Sequence, residues 1–416
     1  MKFADNTVPV AVLNCKLGAL SIMRSLGPLG VPLYGVDADP RSPGMVSRYC
    51  RRKFLQDLDE RRPQVLVDYL LDVGKKVGSP AILIPTSDET SVFVAEQADR
   101  LKEAFVFPQN PPELVTDLMD KKRMYLLARQ HDIPTPFTEF PRNIDDVHRY
   151  AGKALFPVVL KGILGNRLYA RTGKKMVIVS SKDELIRNYR LLEDPDQPNL
   201  MLQECIPGGD HEVYIFNGYF DANSDCVVPF TGHKVRQFPV HVGCASLGES
   251  RWNRDVATLT MDFMKALGYR GILDIGYRLD PRDGLYKVLD INPRIGQAFR
   301  MFVAENGLDV VRDLYLDFTG QARFPAVPRD GRRWVIEDFD IISSIDYYRE
   351  GSLTFGQWWR SFRRLEEAMW FSWRDPIPFI RMSASLLRRA AGSVLRSLGL
   401  LKRKPAAAVL TEAPEV

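Results

Sequence analysis

Histidine and cysteine are scarce in this chain. Five of each occur in 416 residues, and Cys15, Cys50, Cys205, Cys226 and Cys244 are scattered with no Cys-x-x-Cys among them. This argues against a zinc site or a disulfide framework and for a reducing, cytoplasmic compartment. No apolar run reaches the ~18 residues that a spanning helix needs, and Met1-Lys-Phe-Ala-Asp5 does not read as a secretion signal. The first strand-like run is not followed by Gly-x-Gly-x-x-Gly, and a lone Gly18 says little for dinucleotide binding. No Ser/His/Asp or Cys/His set suggests a nucleophilic side chain. Excess basic charge is missing from most of the chain as well. The net charge is +5, yet Arg381, Arg388, Arg389, Arg396, Lys402, Arg403 and Lys404 fall in an acid-free stretch, which leaves −2 for the rest. Nucleic-acid binding is therefore not suggested.

What remains is an ordinary globular composition, 45% hydrophobic and 26% charged, long enough for two or three domains. The first 110 residues alternate strand and helix: strands at 8–13, 31–36, 81–85 and 104–107, helices after Gly18, at 65–77 and at 90–102. A small parallel sheet is expected. Thr86-Ser-Asp-Glu89 follows the third strand, where open α/β sheets bind ligands, but it also reads as a helix cap with acidic first-turn residues, the reading favoured here.

The chemistry concentrates at 286–294, Tyr-Lys-Val-Leu-Asp-Ile-Asn-Pro-Arg. Val288, Asp290 and Asn292 alternate with Leu289 and Ile291, so one strand face carries an acid and an amide. These are hard oxygen donors for a divalent cation, and Arg294 leaves a permanent positive charge beside them. Upstream, 269–280 also alternates, and Pro281-Arg-Asp-Gly284 is a turn. Pairing across that turn brings Asp274 near Asp290, a costly approach unless a cation lies between. A solvated strand face ended by Pro293 is the alternative.

Cations appear in matching places. Phe156-Pro-Val-Val-Leu-Lys-Gly162 is an apolar strand with one lysine, and an inward Lys161 requires an anion. Lys121 opens a helix, where the dipole disfavours a cation, so it is placed either for a ligand or simply on the surface beside Lys122 and Arg123. The basic loop 162–175 either folds over an anion with Arg167, Arg171 or Lys174, or forms a solvated hairpin. His233, Lys234 and Arg236 suit a carboxylate or phosphate, and equally a solvated strand.

Asp290-Ile-Asn-Pro-Arg294 resembles the final motif of the ATP-grasp superfamily, and four other pieces follow that superfamily's order across residues 8–320. The resemblance implies α/β and α+β architecture: a parallel-sheet lobe (1–110) preceding a two-lobed ATP-grasp domain (111–322). Asp120-Lys121 before Ile133-Pro-Thr-Pro136 is similar to the first nucleotide-binding lysine segment, and the Lys161 strand to the second. The segment 200–216, with Gln-Glu-Cys-Ile-Pro-Gly-Gly-Asp-His-Glu, resembles the hinge. On that match Gln203, Glu204 and Ile206 hold adenine, and Asp210 or Glu212 lies near the ribose. Asp274, Asp290 and Asn292 then hold Mg2+, or Mn2+ in its place, bridging the phosphates of ATP. Arg294 steadies an acyl phosphate, with Lys234 and Arg236 as further catalytic cations. The implied activity is ATP-dependent joining of a small carboxylate to an amine, with a layout most similar to amino-acid ligases of the D-aspartate ligase type. A non-amine acceptor, or a scaffold without turnover, is the alternative.

After residue 322 the resemblance fades. Five of the six tryptophans lie at 334–373, which reads as a packed aromatic appendage within 323–404. Ile380, Ala384, Leu387, Ala391, Val394 and Leu398 share one helical stripe flanked by arginine. Residues 376–404 therefore suit the inner face of a membrane, a partner protein, or packing on the appendage. The end, 405–416, reads as disordered.

Overall fold

The computed structural model describes residues 1–397 apart from Ser79, Lys175 and Ala326. The expected tail at 405–416, and Leu398 and 402–404 of the basic stretch, lie outside the described residues.

The first 110 residues form a parallel sheet of β1 (Val10–Leu13), β2 (Leu33–Asp37), β3 (Cys50–Leu55), β4 (Ala81–Pro85) and β5 (Phe105–Val106), in the order β3-β2-β1-β4-β5. The edge strand β3 was not expected, because Arg51, Arg52 and Lys53 are exposed and give it no apolar pattern. Such charges protect a sheet edge from pairing with another chain. The order reverses between β1 and β4, so a crevice opens at their carboxyl ends. There Ser87 caps the helix Asp88–Glu96 in a capping box with Thr90, as expected from the sequence.

A four-stranded antiparallel sheet follows: β6 (Thr138–Glu139), β7 (Val158–Gly162), β8 (Met176–Val179) and β9 (Leu200–Glu204), ordered β6-β9-β7-β8. Val158, Leu160, Leu200 and Leu202 point to one face and pack on the helices Ile144–Ala151 and Lys182–Leu192. By the two-residue period, Val159, Lys161, Met201 and Gln203 point the other way.

The third sheet has seven strands: β10 (Val213–Phe220), β11 (Phe230–Phe238), β12 (Cys244–Ser250), β13 (Gly271–Leu279), β14 (Tyr286–Asn292), β15 (Arg333–Val335) and β16 (Leu365–Ala368). Their order is β14-β13-β10-β11-β12-β15-β16. The segment expected as an appendage therefore supplies two strands to this sheet. Trp334 is buried in the main core, whereas Trp359 and Trp373 stand exposed. That core runs from the first helix, Leu17–Leu26, through Ile295, Phe299 and Tyr315 to Trp334, Phe339 and Met369, and so joins the parallel lobe to the last strands. Arg24 fastens the same junction, donating to the carbonyls of Met369 and Trp370 and pairing with buried Asp375 at 3.2 Å.

Candidate active site

Three strands bring the expected metal residues together. Asn217 on β10 lies opposite Asp274 on β13, and Asp274 lies opposite Asn292 on β14, with Asp290 facing Gly276. Side chains at these positions leave one face of the sheet. Asn292 Nδ2 is 3.3 Å from Asp274 Oδ1 and 3.3 Å from Asp290 Oδ2, while Asn217 Nδ2 is 3.3 Å from Asp274 Oδ2. Burial, and then the negative charge of Asp290, push the Asp274 carboxyl up to about 6 against the pull of Arg294, Asn292 and Lys234.

Two glycines make this crowding possible. A Cβ at Gly276 would fall 2.5 Å from Asp290 Oδ1, and one at Gly296 would fall 2.2 Å from Asp274 Oδ2. Neither position accepts a side chain while the carboxylates stay where they are.

The donor set fits Mg2+. Among the described residues no three His, Cys, Asp or Glu side chains form a complete metal cage. Two carboxylates and an amide are instead what an ion needs when phosphate and water complete its shell. The buried Oδ1 of Asn217 has no hydrogen-bond partner, which adds an oxygen acceptor at the same place.

Cations gather around this face from several elements, with Lys161 coming from the four-stranded sheet. Lys161 lies with its ammonium 5.7 Å from the Tyr125 ring centre, and burial brings it down to about 7, helped by the charge of Lys121 and opposed by Asp290. Lys121 begins the helix Lys121–Gln130, capped by Asp120, and its Nζ stands 4.0 Å from where a Cβ of Gly165 would be. The loop after Lys161 forms the short helix Gly165–Thr172 rather than a hairpin. Its Arg167 pairs with Asp194 at 2.6 Å, and Arg171 donates to the Leu192 carbonyl. Lys234 donates to the Gly243 carbonyl at 2.8 Å, and its charge acts on Asp274. Arg294 forms an ion pair with Asp88, which reaches in from the parallel lobe. Asp88 thus serves both the capped helix and this site.

The hinge residues are held differently from one another. Gln203 donates to Thr138 Oγ1 at 2.8 Å. The Glu204 carboxylate meets Arg282 at 2.7 Å, Lys287 at 3.3 Å and the Phe137 N–H at 2.8 Å, so only its main chain is left to face a base. Ile206 is buried. Asp210 accepts from Gln237 at 2.8 Å and from the Tyr347 hydroxyl, and contacts His241 at 3.1 Å, which ties it to the C-terminal helix Glu337–Arg349. Glu212 lies beside Gly208, next to Arg278.

Arg236 requires correction. A bulge at Val235 shifts the β11 register, so Lys234 and Arg236 do not share a face. The Arg236 guanidinium is buried in a bidentate pair with Asp340, both bonds 2.8 Å, and donates to Ser361. It is not offered to a ligand. His233 is also buried, beside Tyr214.

The sequence reading missed Asn217, Gly276 and Gly296, and it favoured a purely capping role for the segment that holds Asp88. A lone amide in the apolar run Val-Tyr-Ile-Phe-Asn-Gly-Tyr-Phe was the available signal for Asn217, of the same kind that pointed to Lys161.

No family model matches the chain. It is 26% identical over 294 residues to a D-aspartate ligase of Enterococcus faecium, covering 66% of this chain and 68% of that protein. Among solved structures it resembles an N5-carboxyaminoimidazole synthetase from Staphylococcus aureus complexed with ADP, with TM-score 0.60, 12% identity, and 80% of this chain and 81% of that one covered. The biotin carboxylase domain of a Hydrogenobacter thermophilus 2-oxoglutarate carboxylase, in complex with MgADP, gives TM-score 0.60 and 15% identity over 79% of this chain and 73% of that one. An L-amino acid ligase from Bacillus licheniformis gives 0.55 and 14% over 79% and 76%. A four-stranded and a larger sheet facing each other across two lysines and an Asp-x-Asn strand, behind a parallel lobe, are the ATP-grasp fold. The sequence likeness within that fold is to a D-aspartate ligase.

Proposed function

We propose that the protein uses ATP to join the carboxylate of an amino acid or small acid to an amine. The observation that carries this reading is the Asp274–Asp290–Asn292 cluster facing Lys161 and Lys121 across the cleft. A substrate carboxylate oxygen attacks the γ-phosphorus, the bond to the bridging oxygen breaks, and ADP leaves. The amine nitrogen then attacks the acyl carbon, the bond to phosphate breaks, and the nitrogen gives up a proton. Mg2+, or Mn2+ in its place, supplies charge neutralisation along the phosphates. Asp274, Asp290 and Asn292 hold that ion, with Asn217 fixing the Asp274 carboxylate. Lys161 and Lys121 bind phosphate oxygens, and a bound phosphate meets the anion requirement of Lys161. The main chain around Gln203, Glu204 and Ile206 receives adenine, and Glu212 the ribose. Arg294, positioned by Asp88, takes the negative oxygen of the acyl phosphate and of the tetrahedral species that follows, and Lys234 stands by the incoming carboxylate.

The test is ADP and phosphate release from MgATP over a panel of amino acids and small acids, singly and then with amines. Asp290→Ala is the control. Release that depends on one acid and vanishes in the control supports the reading and names the acid. No release with any pair, together with no binding of a non-hydrolysable ATP analogue, overturns it.

A further inference from the structure

The C-terminal helices wear their apolar residues outward. The helix Glu337–Arg349 turns Asp340, Ser343 and Ser344 inward, where Asp340 receives Arg236 and Ser246. Its outer side is a stripe of Ile341, Ile345 and Tyr348, spaced i, i+4, i+7, with Ile342 beside it, all exposed. The inner side buries Phe339 and Tyr347 as well, so this helix carries apolar residues on both sides, unlike the usual amphipathic arrangement. The helix Phe355–Ser361 likewise exposes Phe355 and Trp359 one turn apart, Trp359 at 68%. Trp373 is 87% exposed, and the helix Ile377–Ser397 continues with exposed Ile377, Ile380 and Leu387 along one side. No helix among the described residues is long and apolar enough to cross a membrane.

The start of the helix Glu337–Arg349 adjoins the segment that carries Trp373 and the last helix. The N–H groups of Trp370 and Phe371 donate to the Glu337 carboxylate, and the Trp370 indole donates to Asp338 at 2.8 Å. The Phe371 ring then packs edge-on against both Trp373 and Phe379. The charge along the last helix is of one sign, whereas Asp346, Glu350 and Glu366 mix acids among the bases elsewhere. Arg374, Arg381 and Arg388 are exposed at seven-residue spacing, Arg360, Arg363 and Arg364 are exposed near Trp359, and residues 376–397 contain no acid.

We propose that this face docks on an anionic lipid bilayer. Trp373 and the outer stripes sit at the boundary between headgroups and acyl chains, and the arginines meet headgroup phosphates. Indole rings favour that boundary, and a basic helix with an exposed apolar stripe lies in its plane. The acid-free helix with exposed Arg381 and Arg388 selects a phosphate-bearing surface over a groove in another copy of this chain. The docking is independent of the ligase reading.

The experiment is flotation of the full chain with vesicles of phosphatidylcholine alone or of phosphatidylcholine with phosphatidylglycerol. The protein should float with the anionic vesicles at low salt and be released as salt screens the charges. Ile380→Asp/Leu387→Asp and, separately, Arg381→Glu/Arg388→Glu should each lower the bound fraction at least about tenfold. The melting temperature and ATP turnover should stay unchanged. Leu155→Asp, at an exposed leucine on the four-stranded lobe, should bind as the wild type does. Absence of flotation with anionic vesicles, or equal binding by the variants, overturns the proposal. So does a lipid-free dimer of the wild type that the Ile380→Asp/Leu387→Asp variant cannot form, since a second copy would then cover the face.

Discussion

Replacing Lys161 by methionine should make the free protein more stable and its nucleotide complex weaker. Burial takes the Lys161 ammonium from 10.5 down to about 7, and each unit is worth about 1.4 kcal/mol. At neutral pH the folded chain therefore carries a penalty of up to about 4 kcal/mol at this side chain. Methionine fills a similar volume without charge and gives up only the contact with the Tyr125 ring, worth about 1 kcal/mol. Urea unfolding near pH 7 should show the variant more stable by about 1–3 kcal/mol. The sign with pH is fixed. The unfolded chain holds a proton on Lys161 up to 10.5 and the folded chain only to about 7, so wild-type stability falls as pH falls between those values. The advantage of methionine should vanish above the upper value. Nucleotide binding should move the other way, because a buried charge pair loses one partner. A loss of about 2–5 kcal/mol, or at least roughly thirtyfold in Kd, is expected by calorimetry. In wild type at pH 8, binding should be accompanied by proton uptake, read from the dependence of the heat on buffer ionisation. A variant that is less stable at pH 7 and binds nucleotide within threefold of wild type would refute the reasoning.

Gly296→Ala should fold normally yet lose turnover by about a hundredfold, because its Cβ displaces the Asp274 carboxylate; saturating-ATP kinetics with a melting curve checks both. Arg236→Met leaves Asp340 buried without its cation and should cost about 3–5 kcal/mol in urea unfolding, most of it recovered in Arg236→Met/Asp340→Leu. Asn217→Leu should raise the Mg2+ concentration needed for half-maximal turnover by about tenfold, with the ATP dependence at saturating Mg2+ little changed.

The hairpin carrying Asp274, Asp290 and Asn292 was legible because strand alternation and a Pro-Arg-Asp-Gly turn are local signals. Lys161 was legible for the same reason, a single charge in an apolar strand. Arg236 misled because charge type alone was being read, and its partner Asp340 comes from a helix 104 residues away. Asp210 was placed near a ribose by resemblance, and the structure shows it bound to Tyr347, again a distant residue. Asp88 was read correctly as part of a helix start, but nothing local could announce that Arg294 would come to it from another lobe. β3 was hidden by its own edge charges. Residues after 322 read as an appendage since short strands without alternation look like loops until a sheet edge is there to receive them.

The junction of Arg24 with Met369, Trp370 and Asp375 has a consequence for synthesis. The parallel lobe leaves the ribosome well before residues 369–375, with its strands and helices complete by about residue 110, but one side of its first helix is finished only by that later segment. Until those emerge, Leu20, Met23 and Leu26 have part of their native cover missing. A nascent chain paused before residue 369 should therefore hold the lobe in a sticky, protease-sensitive form that depends on chaperones.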